Sequence, residues 1–188
     1  PEGLAAVEAL ADHPKVVAIG EIGLDYYWEE NPPRELQRQV FREQLALAQR
    51  LELPVIVHDR EAHGDSLAMI QEFPQVRGVF HCYSGSPEMA RELVKRGWML
   101  SFTGVLTYKN AKKAVEVARE IPLEHLMIET DSPYMAPVPC RGQRNDSTLV
   151  RHVCEKLAEI KGISAEECAR ITLENGKRVF GIPWYSGP

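Results

Sequence analysis

The chain has 188 residues, 44% of them apolar and 26% charged, and a net charge of −5. The acidic balance excludes a basic nucleic-acid coat, and this composition excludes disorder and fibres; the length suits one globular domain with a substantial core. No apolar run reaches the roughly 20 residues of a bilayer-spanning helix, and the amino-terminal PEGLAAVEALADHPK lacks a charged segment leading into an apolar one, so the chain reads as cytoplasmic with no membrane partner. The four cysteines, Cys82, Cys140, Cys154 and Cys168, show no CxxC spacing and read as reduced thiols.

Taken in chain order, short apolar runs alternate with amphipathic stretches. VVAIGEIGLDY (16–26) is strand-like and RELQRQVFREQLALAQRLE (34–52) helical; PVIVHDR (54–60) and SLAMIQEF (66–73) repeat the pair. RGVFHCYSG (77–85) is followed by SPEMARELVKRG (86–97), where Ser86, Pro87 and Glu88 open a helix and Gly97 stops it. WMLSFTGV (98–105) precedes NAKKAVEVAREI (110–121), and HLMIETDSPY (125–134) precedes helices over 147–161 and 164–179. This alternation predicts a parallel sheet with crossover helices, and no linker marks off a second domain.

Four of the five strands end in a residue that can bind a metal: Glu21, His58, His81 and Asp131; the fifth ends at Thr103 and Gly104. In parallel α/β folds the carboxyl ends of the strands carry the chemistry. Period-two alternation places Val17 and Ile19 on the face of Glu21, Ile56 with His58, and Val79 with His81, so each face is apolar below and ligating at the top. The competing reading of each histidine is a core imidazole bonded to a neighbour. Two histidines and two carboxylates at equivalent heights favour a metal site, and mixed imidazole and carboxylate donors suit Zn or Mn better than Ca or Mg. Glu21 is placed to bridge two ions, a pairing suited to phosphodiester or amide hydrolysis. Arg60, Lys109, Arg141, Arg144 and Asn145 lie just past strand ends and form a set of candidate substrate-binding residues, the guanidiniums matching phosphate oxygens. Tyr26, Tyr27, Trp28 and Tyr83 are candidates for stacking on bases, and of the remaining histidines only His63 lies near the mouth.

GEIGLDY, VIVHDR, FHCYSG, ETDSPY and APVPCRGQRND, in that order, resemble the successive motifs of the TatD family of metal-dependent deoxyribonucleases, which are amidohydrolase-like (β/α)8 barrels; the resemblance covers about residues 1 to 182. It implies that Glu21 bridges two metals, that His58 and His81 hold one of them, that Asp131 holds the other and helps activate water, and that Lys109, Arg141 and Arg144 contact phosphate. Cys140 stands where many relatives have His, and Asp146 and Ser147 where Glu and Pro are usual. The family's HxH pair and its first strand–helix units are absent.

The expected fold class is therefore α/β of the TIM-barrel type, (β/α)8, with about five of the eight strands, in a single hydrolase domain over residues 1–188 that forms the carboxyl-terminal part of the family domain. Five strands cannot close a barrel, so either an amino-terminal segment or self-association is expected to cover the open sheet edges. The expected cofactors are up to two divalent ions (Zn, Mn or Mg), one held well by Glu21, His58 and His81 and a second weakly by Glu21 and Asp131, with low or no activity expected of this chain alone. The expected function is hydrolysis of DNA phosphodiesters at single-strand ends, with Asp131 and Glu21 catalytic, because an acidic protein lacks the cationic stripe needed to track a duplex. Two alternatives stay open: an amidohydrolase acting on a small cyclic amide or ester, and a catalytically impaired fragment or scaffold.

Overall fold

The structure, a computed structural model, describes residues 2–182. In chain order the elements are α1 (Glu2–Ala11), β1 (Ile19–Asp25), α2 (Arg34–Leu51), β2 (Val55–Arg60), α3 (His63–Gln71), β3 (Gly78–Phe80), α4 (Pro87–Lys95), β4 (Met99–Phe102), α5 (Lys112–Glu120), β5 (Leu126–Ile128), α6 (Val150–Lys161) and α7 (Ala165–Phe180). The strand order is β1-β2-β3-β4-β5, as expected of successive strand–helix–strand crossovers, and the pairs β1–β2, β2–β3 and β4–β5 are parallel. Among the described residues no helix is long and apolar enough to cross a membrane. The chain divides into two compact units, one reaching to Phe80 and resuming at Lys177, the other running from His81 to Gly176.

In the first unit, α2 turns one apolar stripe inward: Phe41, Leu45 and Ala48 recur at helical spacing and are fully buried. Burying a Phe or Leu side chain contributes about 1.5–3 kcal/mol, so this face outweighs the helix's weak start, where Pro33 provides no side-chain cap. The stripe lies beside β1, whose Ile19, Ile22 and Leu24 are buried, and β2 adds Val55 and Val57. α1 has no counterpart among the helices read from the sequence.

The second unit repeats the pattern. Ser86 caps α4 by accepting a hydrogen bond from Met89 N (3.2 Å), Pro87 opens the first turn, and Gly97, at φ 83°, follows its end, as the sequence predicts. Val117 and Ala118 of α5, Leu157 and Val153 of α6, and Trp98, Leu100 and Phe102 around β4 are buried. Asn175 of α7 donates through Nδ2 to Leu123 O and Leu126 O, both at 2.8 Å, fastening the helix at the start of β5.

One glycine sets the spacing at the end of the β1–β2 pair. Gly23 adopts φ 141°, and a Cβ there would lie 1.9 Å from the carbonyl oxygen of His58. A side chain at this position must push two paired strands apart. Gly23→Ala is expected to destabilise the protein by at least about 2 kcal/mol, lowering the thermal unfolding midpoint by about 5 °C or more for a chain of this size; an unchanged midpoint would contradict this packing.

Candidate metal centre

Glu21 reaches the centre through an irregularity in β1. Ile19 pairs with Val55 and Ile22 with Val57, so three steps along β1 face two along β2. This bulge keeps both isoleucines buried and leaves Glu21 between them exposed. The expectation that Ile19 and Glu21 share a face is thereby corrected, because the extra residue resets the alternation. β2 is regular: Val55 and Val57 are buried while Ile56 and His58 alternate with them. His81 is one peptide bond beyond Phe80, whose partner on β2 is Val57, so the strand register sets it beside His58.

The three side chains meet. Each of Glu21, His58 and His81 offers a ligand atom within 4.8 Å of the others. Glu21 Oε1 is 2.8 Å from His58 Nδ1, and the side chains are 48% (Glu21), 32% (His58) and 12% (His81) exposed, so the group opens to solvent on the side of Glu21. One carboxylate and two imidazoles form a donor set used by catalytic zinc sites, which keep further positions for water or substrate. These residues fit a divalent ion.

Around the three donors stand carboxylates that the sequence reading did not single out. Asp25 Oδ2 is 3.0 Å from His58 Nε2, leaving Nδ1 as the nitrogen that faces Glu21, while Asp25 Oδ1 accepts from Tyr27 N at 3.0 Å. Gln37 holds Asp25 in turn, with Oε1 accepting from Asp25 N (2.9 Å) and Nε2 donating to Asp25 O (3.0 Å). In the second unit, Glu129 Oε2 is 3.3 Å from His81 Nδ1, and Glu129 Oε1 accepts from Cys82 N (2.7 Å) and from the Ser101 hydroxyl. Burial pushes the Glu129 carboxyl up, but the bonds to His81, Ser101 and Cys82 N outweigh it and hold the group below the ordinary carboxylate range. A carboxylate on the far nitrogen of a ligating histidine fixes its tautomer and ring orientation.

Asp131 is not one of the three grouped residues. The sequence predicts it at the end of a strand over 125–134, but β5 stops at Ile128, so the first polar residue past the strand is Glu129, and Asp131 lies two further on at φ 53°. The shift from apolar LMI to Glu129 was the signal for the strand end, and Asp25 had none beyond its place in GEIGLDY.

The substrate candidates divide. Arg60 ends β2 with its guanidinium 3.9 Å over the Tyr27 ring. Lys109 and Arg141 are exposed on the loops after β4 and β5, which are joined: Val138 N donates to Thr107 Oγ1 (2.9 Å), Tyr108 OH donates to Ala136 O (3.0 Å), and Arg141 stacks 4.1 Å over Tyr108. Arg144 is exposed on the same loop. Asn145 is buried, and its Nδ2 donates to Thr130 O (2.8 Å) and Tyr134 O (2.7 Å), so both amide hydrogens serve the loop. His63 is paired with Asp59, Nδ1 to Oδ2 at 2.8 Å.

With this geometry in hand, comparison with known proteins gives the family. The profile described as "TatD related DNase" matches residues 1–181. The chain belongs to the TatD-related DNase family. It is 49% identical over 183 residues to YabD of Bacillus subtilis (strain 168), named an uncharacterized metal-dependent hydrolase, covering 96% of this chain and 71% of that protein. It is 40% identical over 184 residues to YcfH of Escherichia coli (strain K12), which has the same designation, covering 97% of this chain and 69% of the relative. The crystal structure of YjjV, a TatD homolog from E. coli K12, superposes with a TM-score of 0.89 at 35% identity over 96% of this chain and 70% of that one, in keeping with the α/β barrel-type fold class. The expectation of a carboxyl-terminal part is corrected: with residues 1–181 matched and about seven-tenths of each relative covered, the TatD-family chain carries the bulk of the family domain.

Two outcomes follow from the tethers around the centre. Asp25→Asn removes the carboxylate behind His58 and is expected to weaken Mn²⁺ binding by about 10- to 100-fold in calorimetric titration; unchanged affinity would show that Asp25 does not orient the ring. Asp65 accepts hydrogen bonds from Tyr26 OH (2.6 Å) and Arg38 (3.0 Å), and these two, Tyr26 first, hold its carboxyl below the usual range. Its contribution is fully present above the unfolded value of about 3.9 and lost as pH falls through the lowered folded value. Asp65→Asn should therefore lower stability in urea titrations at pH 7 and have little effect near pH 2.

Proposed function

We propose that this TatD-family chain is a metal-dependent hydrolase of DNA phosphodiester bonds acting on single-stranded ends. The reading is carried by one observation: a carboxylate from the bulge in β1 and two imidazoles from β2 and just past β3 cluster within 4.8 Å. A divalent ion held there supplies Lewis acidity to a phosphoryl oxygen and lowers the pKa of water beside it. Glu21, His58 and His81 hold that ion, and Asp25 and Glu129 keep the two rings turned toward it. Asp131 takes the proton from the attacking water in this assignment. A second ion binds more weakly, since no other three-donor group exists among the described residues.

Phosphodiester rather than amide substrates are favoured by the cations on the strand-end loops. Arg60, Lys109, Arg141 and Arg144 offer N–H donors to phosphate oxygens, which a cyclic amide does not need. Net charge of −5 limits the contact to a few nucleotides, which suits a free end better than a duplex. Membership of the TatD-related DNase family is in accord.

The test is cleavage of end-labelled single-stranded DNA with Mn²⁺ or Zn²⁺, with and without chelator. The expected result is cleavage that the chelator stops, a loss of at least about 100-fold in rate in His58→Ala, and a rise in KM of about tenfold in Arg144→Ala. Cleavage that survives the chelator or His58→Ala, or a wild-type chain that binds no divalent ion, would overturn the proposal.

A further inference from the structure

The turn after β1 holds two large rings in water. Tyr27 is 52% and Trp28 49% exposed, and they meet edge to face with centroids 4.8 Å apart and planes at 88°. The backbone beneath them is fastened: Tyr27 N donates to Asp25 Oδ1 (3.0 Å), Asn31 N donates to Trp28 O (3.2 Å), and Asn31 Nδ2 donates to Asp25 O (3.2 Å). A turn tied down with its aromatic side chains outward is a ready surface for a flat, partly polar ligand.

Arg60 completes the surface. Its guanidinium lies 3.9 Å over Tyr27 and 5.3 Å from the Trp28 ring, and its side chain makes no ion pair or hydrogen bond among the described residues. Arg38, Arg42, Arg91 and Arg170, by contrast, are each paired with carboxylates. A guanidinium stacked on a ring keeps its N–H edge for an anion, and the fork geometry matches phosphate. An apolar protein partner is a poor match for a patch with an unneutralised cation at its centre.

Position links the patch to the chemistry. Arg60 follows His58 by two residues on β2, a displacement of about 7 Å along the strand, and it pairs with Asp25 across to β1. The same Asp25 carboxylate holds the patch with one oxygen, through Tyr27 N, and His58 with the other. The platform and the metal ligand therefore keep a fixed separation.

We propose that Tyr27, Trp28 and Arg60 form a nucleotide platform on which an unpaired base of single-stranded DNA stacks against Trp28 while Arg60 binds a neighbouring phosphate. The perpendicular rings admit one base at a time, stacked on the indole and touching Tyr27 at its edge. This site gives the proposed hydrolase a preference for unpaired ends, because a base within a duplex already stacks on its neighbours and cannot lie on Trp28. The inference rests on the nuclease reading, and its test separates the two.

Binding of fluorescein-labelled oligothymidylate to the full chain is followed by anisotropy in EDTA, where no cleavage occurs. Trp28→Ala should raise Kd by roughly tenfold or more, while Trp28→Phe stays within about threefold of wild type because a stacking face remains. An oligonucleotide with abasic sites should bind wild type and Trp28→Ala alike. Equal Kd values for wild type and Trp28→Ala on oligothymidylate, or a Trp28→Ala defect of the same size on the abasic strand, would overturn the platform. Metal-dependent hydrolysis of bis(p-nitrophenyl) phosphate, a diester with no base, is measured in parallel. Its absence in wild type would sink the hydrolase reading without touching the binding result, and an unchanged circular dichroism spectrum and thermal midpoint in Trp28→Ala show that the variant is folded.

Discussion

The site depends on a break in strand register. Between Ile19 and Ile22, β1 takes three steps against two on β2, and this single extra residue lets both isoleucines stay in the core while Glu21 turns toward His58. A regular strand would have to choose between burying a charged carboxylate with Ile19 and exposing the isoleucine. Burial of an unpaired carboxylate costs several kcal/mol, so the bulge is the conformation that satisfies the core and the ligand together. Gly23 serves the same junction: by letting β1 pass close to the His58 carbonyl, it keeps the two strand ends in pairing distance just where the donors emerge.

From that junction, order spreads through the carboxylates that hold the two rings. The Asp25 backbone is held by Gln37 of α2 while its carboxylate holds both His58 and the turn at Tyr27, so a helix, a strand end and an aromatic loop are tied through one residue. Glu129 has a similar place in the second unit, where His81, Cys82 and Ser101 converge on it. Histidines fixed in this way lose little rotational freedom when they take up a cation, which favours binding over two rings left to rotate.

The sequence revealed elements whose signals are local. The α4 start reads directly from Ser86 and Pro87, because the cap is made within one turn, and the apolar stripe of α2 is visible as Phe41, Leu45 and Ala48. Glu21, His58 and His81 were legible because each ends or closely follows an apolar run. What could not be read depends on partners distant in sequence. The bulge at Glu21 exists only against β2, and the end of β5 is not marked by the ETD stretch, since the chain leaves the sheet at Ile128 and turns to left-handed backbone at Asp131. The inward turn of Asn145 was likewise hidden, because it depends on the carbonyls of Thr130 and Tyr134, to which its Nδ2 donates.

These constraints converge on a place for a cation among Glu21, His58 and His81. Anomalous diffraction from crystals soaked in Mn²⁺ or Zn²⁺ at the metal's absorption edge locates such an ion directly. The account predicts a strong peak about 2.0–2.2 Å from the Glu21 carboxylate and from one ring nitrogen each of His58 and His81. No peak at that point, with density elsewhere or with Glu21 and His58 still bonded to each other at saturating metal, would contradict it.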